Sequence, residues 1–169
     1  MKKPFFYELD YSAAFFANMT SRLSKMINDE FSEVLKDSSI VTPITDVSLV
    51  MFLAQSKGAS IAEIAKALSY SHQRTASRVS ALEKLSLIYR HTDLNDGRCQ
   101  RFTLTKLGVD DVAELTRITK DVASVINEIS KEQSVQIMEV LFGFCQAIEN
   151  EPISARIKKL PNSRQGEIK

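Results

Sequence analysis

Between Tyr11 and about Lys36, the apolar residues Phe16, Met19, Leu23, Met26, Ile27, Phe31, Val34 and Leu35 recur at three- and four-residue steps, with polar residues between them. That spacing keeps one face of an α-helix apolar. Asp37-Ser38-Ser39 and Pro43 interrupt it. Thr45 then offers an N-cap for a helix through Val47, Leu49, Val50, Phe52 and Leu53, ending near Lys57-Gly58. Ser60-Ile61-Ala62-Glu63 has the capping-box pattern, in which the Ser oxygen and the Glu carboxylate each satisfy a backbone donor of the other, and Ile61, Ile64, Ala65 and Leu68 follow on one face. After the turn at Leu68-Ser69-Tyr70, Ser71 caps another helix running to about Leu85, with Thr75, Val79 and Leu82 as its buried face. Two short helices joined by a tight turn make a helix-turn-helix.

The period then changes. Leu87-Ile88-Tyr89-Arg90-His91 is rich in strand formers, Asp93-Leu94-Asn95-Asp96-Gly97 is a polar turn segment, and Arg98 to Leu104 alternates, so the stretch predicts a β-hairpin. Thr105 caps a long helix carrying Leu107, Val112, Leu115, Ile118, Val122, Val125 and Ile129. Ser130-Lys131-Glu132-Gln133 opens a final helix with Val135, Met138, Leu141, Phe142, Cys145 and Ile148, which Pro152 stops. The fold class is therefore mainly α with a small β-hairpin wing. Residues 41–104 form a winged helix-turn-helix, residues 1–40 and 105–153 a helical dimerisation region, and residues 154–169 a basic, flexible tail. The apolar stripes of the terminal helices exceed what a small winged domain can cover, which points to a homodimer.

Composition adds little until it is resolved along the chain. With 44% hydrophobic and 25% charged residues, nine Phe and no Trp, the 169 residues resemble an ordinary globular chain with net charge +1. Residues 60–106 hold eight Lys/Arg against four acids, a local balance of +4; residues 107–153 come to −6, and the tail from Ser154 returns to +4. A basic middle beside acidic helices fits a module that binds a polyanion. No apolar run reaches the roughly 20 residues of a membrane-spanning helix, and Glu8 and Asp10 interrupt any signal-like core, so a cytoplasmic location without membrane association is expected.

The helix after the turn supplies the chemistry of base reading. A recognition helix enters the major groove with its N-terminal turns and needs short polar and basic side chains there. Ser71, His72, Gln73, Arg74, Ser77 and Arg78 meet that need: Gln pairs with adenine, Arg with guanine, and Ser with base or phosphate. In the hairpin, Arg98 is placed to enter the minor groove, and Asp96 to hold its guanidinium by a charge-assisted bond.

Leu87-Ile88, then Asp96-Gly97-Arg98, then Leu104-Thr105-Lys106-Leu107-Gly108 resemble the wing signature of the multiple-antibiotic-resistance regulator (MarR) family, in which D-x-R precedes L-T by six residues. Ile44-Thr45 leading into Leu49 and Phe52, Ile61 to Ala65, and Leu82 to Leu85 resemble its other landmarks. The resemblance runs over roughly residues 12–150. It implies a homodimer whose first and last two helices intertwine, with two winged domains gripping successive major grooves of double-stranded DNA at a pseudo-palindromic operator. It also implies a sequence-specific transcriptional regulator, with repression as the favoured output. Three positions depart from the pattern: Ser86 replaces a usual Gly, Arg78 a usual apolar residue, and Leu94 a Pro or polar residue in the wing. Arg78 is thereby open to two roles, reaching a phosphate or tucking under its helix.

Other chemistries find little support in the chain. The two histidines, His72 and His91, fall in the reading helix and the wing, away from a Ser or Cys with an orienting acid, so no catalytic residues are expected and the chain is read as a non-enzyme. Two His and two Cys at no ligand spacing point to no metal and no cofactor. Cys99 lies between Arg98 and Arg101, where thiolate chemistry is conceivable, whereas Cys145 reads as a small core residue. The effector ligand is not specified. Two rival readings stay open, a winged helix that mediates protein contacts and a non-specific architectural DNA binder.

Overall fold

The computed structural model describes residues 2–56, 58–93 and 97–161. It forms two compact units, residues 1–120 and 121–169. In the first, 3-10 turns at Phe5–Glu8 and Ser12–Phe15 lead into α1, Phe16–Leu35, followed by α2 (Val47–Ser56), α3 (Ile61–Leu68), α4 (His72–Lys84), β1 (Ile88–Thr92) and β2 (Gln100–Leu104). The long helix α5, Lys106–Glu132, runs from the first unit into the second, which continues with α6 (Ile137–Asn150) and α7 (Ile153–Lys158).

Local chemistry accounts for the boundaries. The capping box of α3 is complete: Glu63 N donates to Ser60 Oγ at 3.3 Å and Ser60 N to Glu63 Oε2 at 2.7 Å. The same Ser60 bonds hold the Glu63 carboxyl below its ordinary pKa. Ser69, at φ 53°, reverses the chain in the left-handed region, and Ser71 Oγ accepts from Arg74 N to start α4. Replacing Ser60 with Ala should therefore lower unfolding free energy by about 1 kcal/mol in urea titrations. Because Glu63 titrates lower when folded, the capping contribution is present above its unfolded value of 4.5 and is lost as pH falls.

The first unit closes around Val47, Leu49, Val50, Leu53, Ile64, Val79, Leu82, Leu87, Ile88, Phe102 and Leu115. The buried stripe of α4 is the expected one, Thr75, Val79 and Leu82. β1 and β2 pair antiparallel from Ile88 opposite Leu104 to Thr92 opposite Gln100. Ala59 joins them through a bridge with Phe102, using bonds of 3.0 and 2.8 Å in the two directions. This third, one-residue edge of the wing sheet leaves no periodic trace. Gly58 makes it reachable: at φ 109° it bends the chain so close to Thr103 that a Cβ would meet the Thr hydroxyl at 2.6 Å.

The junction from wing to α5 is equally tight. Thr105 Oγ1 donates to Ser86 O (2.7 Å) and accepts from Gly108 N (3.1 Å), which caps the helix as expected. A Cβ on Gly108 would collide with the Leu87 carbonyl oxygen. Ser86 sits at φ 57°, a conformation glycine adopts without penalty and serine does not. The loop before α2 is fastened to α5 by the buried Asp111, whose Oδ2 accepts from Val41 N (3.0 Å), Thr42 N (2.8 Å) and Thr42 Oγ1 (2.7 Å).

Several elements differ from expectation. Thr45 lies in a 3-10 turn, Ile44–Asp46, and its hydroxyl accepts from Arg78. α5 continues through Ser130, whose hydroxyl bonds back to Ile126 O at 2.8 Å, and ends where Ser134 turns left-handed at φ 55°. α6 consequently starts at Ile137. Cys145, expected in the core, is exposed. Leu115, expected on an outward stripe, is fully buried in the first unit's core. Residues 154–158 of the expected flexible tail belong to α7, and Arg156 reaches back to the α6 terminus, donating to Ala147 O at 2.8 Å; residues 162–169 lie outside the described residues.

Candidate nucleic-acid interface

The core fixes α4 by Thr75, Val79 and Leu82. With those three positions inward, the helical period turns the first-turn residues outward. Ser71, His72, Gln73, Arg74 and Ser77 are all exposed. Five of the expected reading residues are thus exposed in the N-terminal part of α4. Ser71 has a structural duty in addition, since its oxygen caps α4.

Arg78 departs from that group. Its Nη1 donates to Thr45 Oγ1 at 2.6 Å and reaches Asp46 Oδ2 at 3.3 Å, and its side chain is 32% exposed against 3% for Asp46. Of the two roles open from sequence, the tucked one is observed. Burial raises the Asp46 carboxyl above its ordinary pKa, and Arg78 opposes that rise by charge and hydrogen bonding. The pair clamps α4 to the start of α2. An open recess of about 670 Å³, lined by Thr20, Ser24, Asn28 and Asp29 of α1 with Ile44, adjoins the clamp through Thr45.

In the wing, Arg98 is exposed in the turn it shares with Gly97. Asp96, its expected partner, lies outside the described residues, as does Leu94. A brace that sequence reasoning missed is Arg101. Its guanidinium donates to Asp93 Oδ2 (3.1 Å) and Gly58 O (3.0 Å) and pairs with Glu63 Oε2 (3.2 Å), tying both wing strands to the capping box of α3. Its only sequence signal is charge near Cys99, because Arg101 alternates with the buried Phe102 and so falls on the other face of β2. Arg90 is likewise engaged, with Nη2 2.9 Å from Glu83 Oε2. Cys99 is half-buried. Among the described residues no group of three or more His, Cys, Asp or Glu could hold a metal ion, and no helix is long and apolar enough to cross a membrane.

A helix-turn-helix whose second helix shows its N-terminal turns to solvent, followed by a braced β-hairpin, is a winged helix-turn-helix. The family model for the MarR family matches residues 41–98, from the loop before α2 to the wing arginine. An uncharacterised HTH-type transcriptional regulator of Pyrococcus abyssi (strain GE5 / Orsay) is 31% identical over 98 residues, 56% of this chain; the match spans 60% of that relative's length. The fold is shared with the S. aureus MepR–DNA complex (TM-score 0.66, 22% identity, 79% of this chain and 97% of that one). It is shared also with the organohalide-sensing RdhR transcriptional regulator in its 2,4-dichlorophenol-bound form (TM-score 0.67, 17% identity, 87% and 86%). Residues 41–98 of the chain are thus similar to the MarR family.

Proposed function

We propose that this chain is a sequence-specific, DNA-binding transcriptional regulator, acting as a homodimer in the cytoplasm on a pseudo-palindromic operator, and not an enzyme. The observation that carries the reading is the exposed His72, Gln73, Arg74 and Ser77 surface on the first turns of α4. Ser71, His72, Gln73, Arg74 and Ser77 are the proposed base and phosphate contacts, and Arg98, with Asp96, the proposed wing contact. Arg78 acts here by positioning α4 and not by touching DNA. The family match supports the reading, and MepR, which has this fold, is solved on DNA. Repression is the favoured output.

The proposed dimer surface draws on residues 1–40 and 105–153, less those such as Leu115 that the first unit's core takes up. It is supported by the exposed apolar side chains of α6, among them Met138 at 70% and Phe142 at 61%, and by Val125 and Ile129 of α5. Solvated apolar surface of this kind normally marks a partner face. Sedimentation equilibrium should give twice the 19.0 kDa chain mass at micromolar concentration; a monomer would contradict it. Two winged domains related by a two-fold axis imply half-sites centred about 10 base pairs apart.

Binding to duplex DNA measured across salt concentrations tests the interface. Affinity should fall steeply with salt, and Arg98→Ala should make the dependence shallower by about one contact per subunit while weakening all sequences alike. No measurable DNA binding would leave the protein-interaction reading standing, and equal binding to all sequences the architectural one.

A further inference from the structure

The guanidinium of Arg74 lies over the ring of Tyr70, 4.1 Å from its centroid. Tyr70 is itself held at both ends. Its backbone N–H donates to Ala65 O at 2.9 Å, just after the left-handed Ser69, and its hydroxyl is 3.3 Å from Ser48 Oγ on α2. Arg74 is fixed at its backbone as well, where its N–H donates to Ser71 Oγ at 3.2 Å. An arginine on an exposed helix turn ordinarily samples many rotamers and loses that freedom on meeting a base. A cation over a tyrosine face is attracted by the ring's quadrupole. The stack occupies the face of the guanidinium and leaves its N–H donors in the plane, where a bidentate acceptor such as the O6 and N7 edge of guanine would meet them.

We propose that Tyr70 is a specificity-determining positioning residue, a platform that holds the Arg74 guanidinium in the pose from which it reads a base. The proposal rests on the reading of α4 as a DNA-recognition helix. It assigns Tyr70 no DNA contact of its own: the ring acts through Arg74, and Ser48 acts through the ring. Lysine at position 74 keeps the charge but has no planar fork to stack or to bind bidentately.

The test uses the full chain and a duplex selected by the wild-type protein from random sequence, with affinities for that duplex and its single-base variants. Tyr70→Leu should weaken binding about 3- to 10-fold and flatten discrimination at one position per half-site. Tyr70→Phe, which keeps the ring and loses only the Ser48 contact, should stay within about twofold of wild type. Arg74→Lys should lose discrimination at that same position, which also serves if Tyr70→Leu does not fold. In an Arg74→Ala background, Tyr70→Leu should cause no further loss, the coupling expected of a pair that acts as one unit. An equal loss in that background, unchanged discrimination in Tyr70→Leu, or tighter binding by it would overturn the proposal while leaving the DNA-reading function intact. A wild-type protein that selects no sequence would overturn both.

Discussion

Replacing Arg78 with Ala should destabilise the protein by about 2 to 4 kcal/mol in urea titrations near neutral pH, far more than a half-exposed helix residue ordinarily costs. The reason is the residue left behind. Asp46 is 2% exposed, and without Arg78 its buried carboxylate would keep only the weaker influence of Thr45 and Arg74 to offset its charge. The lower part of the range allows for solvent screening at the partly exposed guanidinium. The pH dependence separates this from simple loss of packing. Burial already raises the folded-state pKa of Asp46 above 3.8, and Arg78 lowers it, so the variant's carboxyl moves higher still. A carboxyl that binds its proton more tightly when folded makes stability fall as pH rises through the folded-state pKa. The deficit of Arg78→Ala should therefore be largest near neutral pH and shrink on acidification, and Asp46→Asn should recover part of it. A deficit independent of pH would show that Asp46 is not the cause.

Leu115→Lys should abolish cooperative folding of the first unit, at a cost of more than about 4 kcal/mol, because an ammonium would enter a site with no exposed surface among Leu49, Leu53 and Leu82. Met138→Lys on α6, 70% exposed, should leave the melting transition of dissociated chain nearly unchanged and act on self-association. Circular dichroism melts paired with sedimentation distinguish the two. If both variants melt like wild type, Leu115 is not a core residue and the assignment of α5's first half fails.

These variants also mark where the sequence is readable. Periodicity placed α1, α3, α4 and the hairpin, and capping chemistry at Ser60, Ser71 and Thr105 set three helix starts, because those bonds form between residues close in the chain. It misplaced Leu115, since one stripe on a long helix serves two units and the period does not say where one surface ends and the next begins. It missed Asp46 with Arg78, Asp111 with Thr42, and Arg101 with Gly58 and Glu63, each joining residues 32 to 69 positions apart. Such polar ties have no period. The outward face of α4 was legible from its buried face; the division of labour on it, with Arg74 stacked and Arg78 clamped, was not.

Whether α4 reads DNA sequence is tested most directly by selection of bound fragments from the source genome, followed by footprinting. The expected result is one enriched pseudo-palindrome with half-sites about one helical turn apart and protection of both halves, lost when Gln73 and Arg74 are changed together to Ala. Recovery of fragments without a common motif, or a footprint that survives the double substitution, would contradict it.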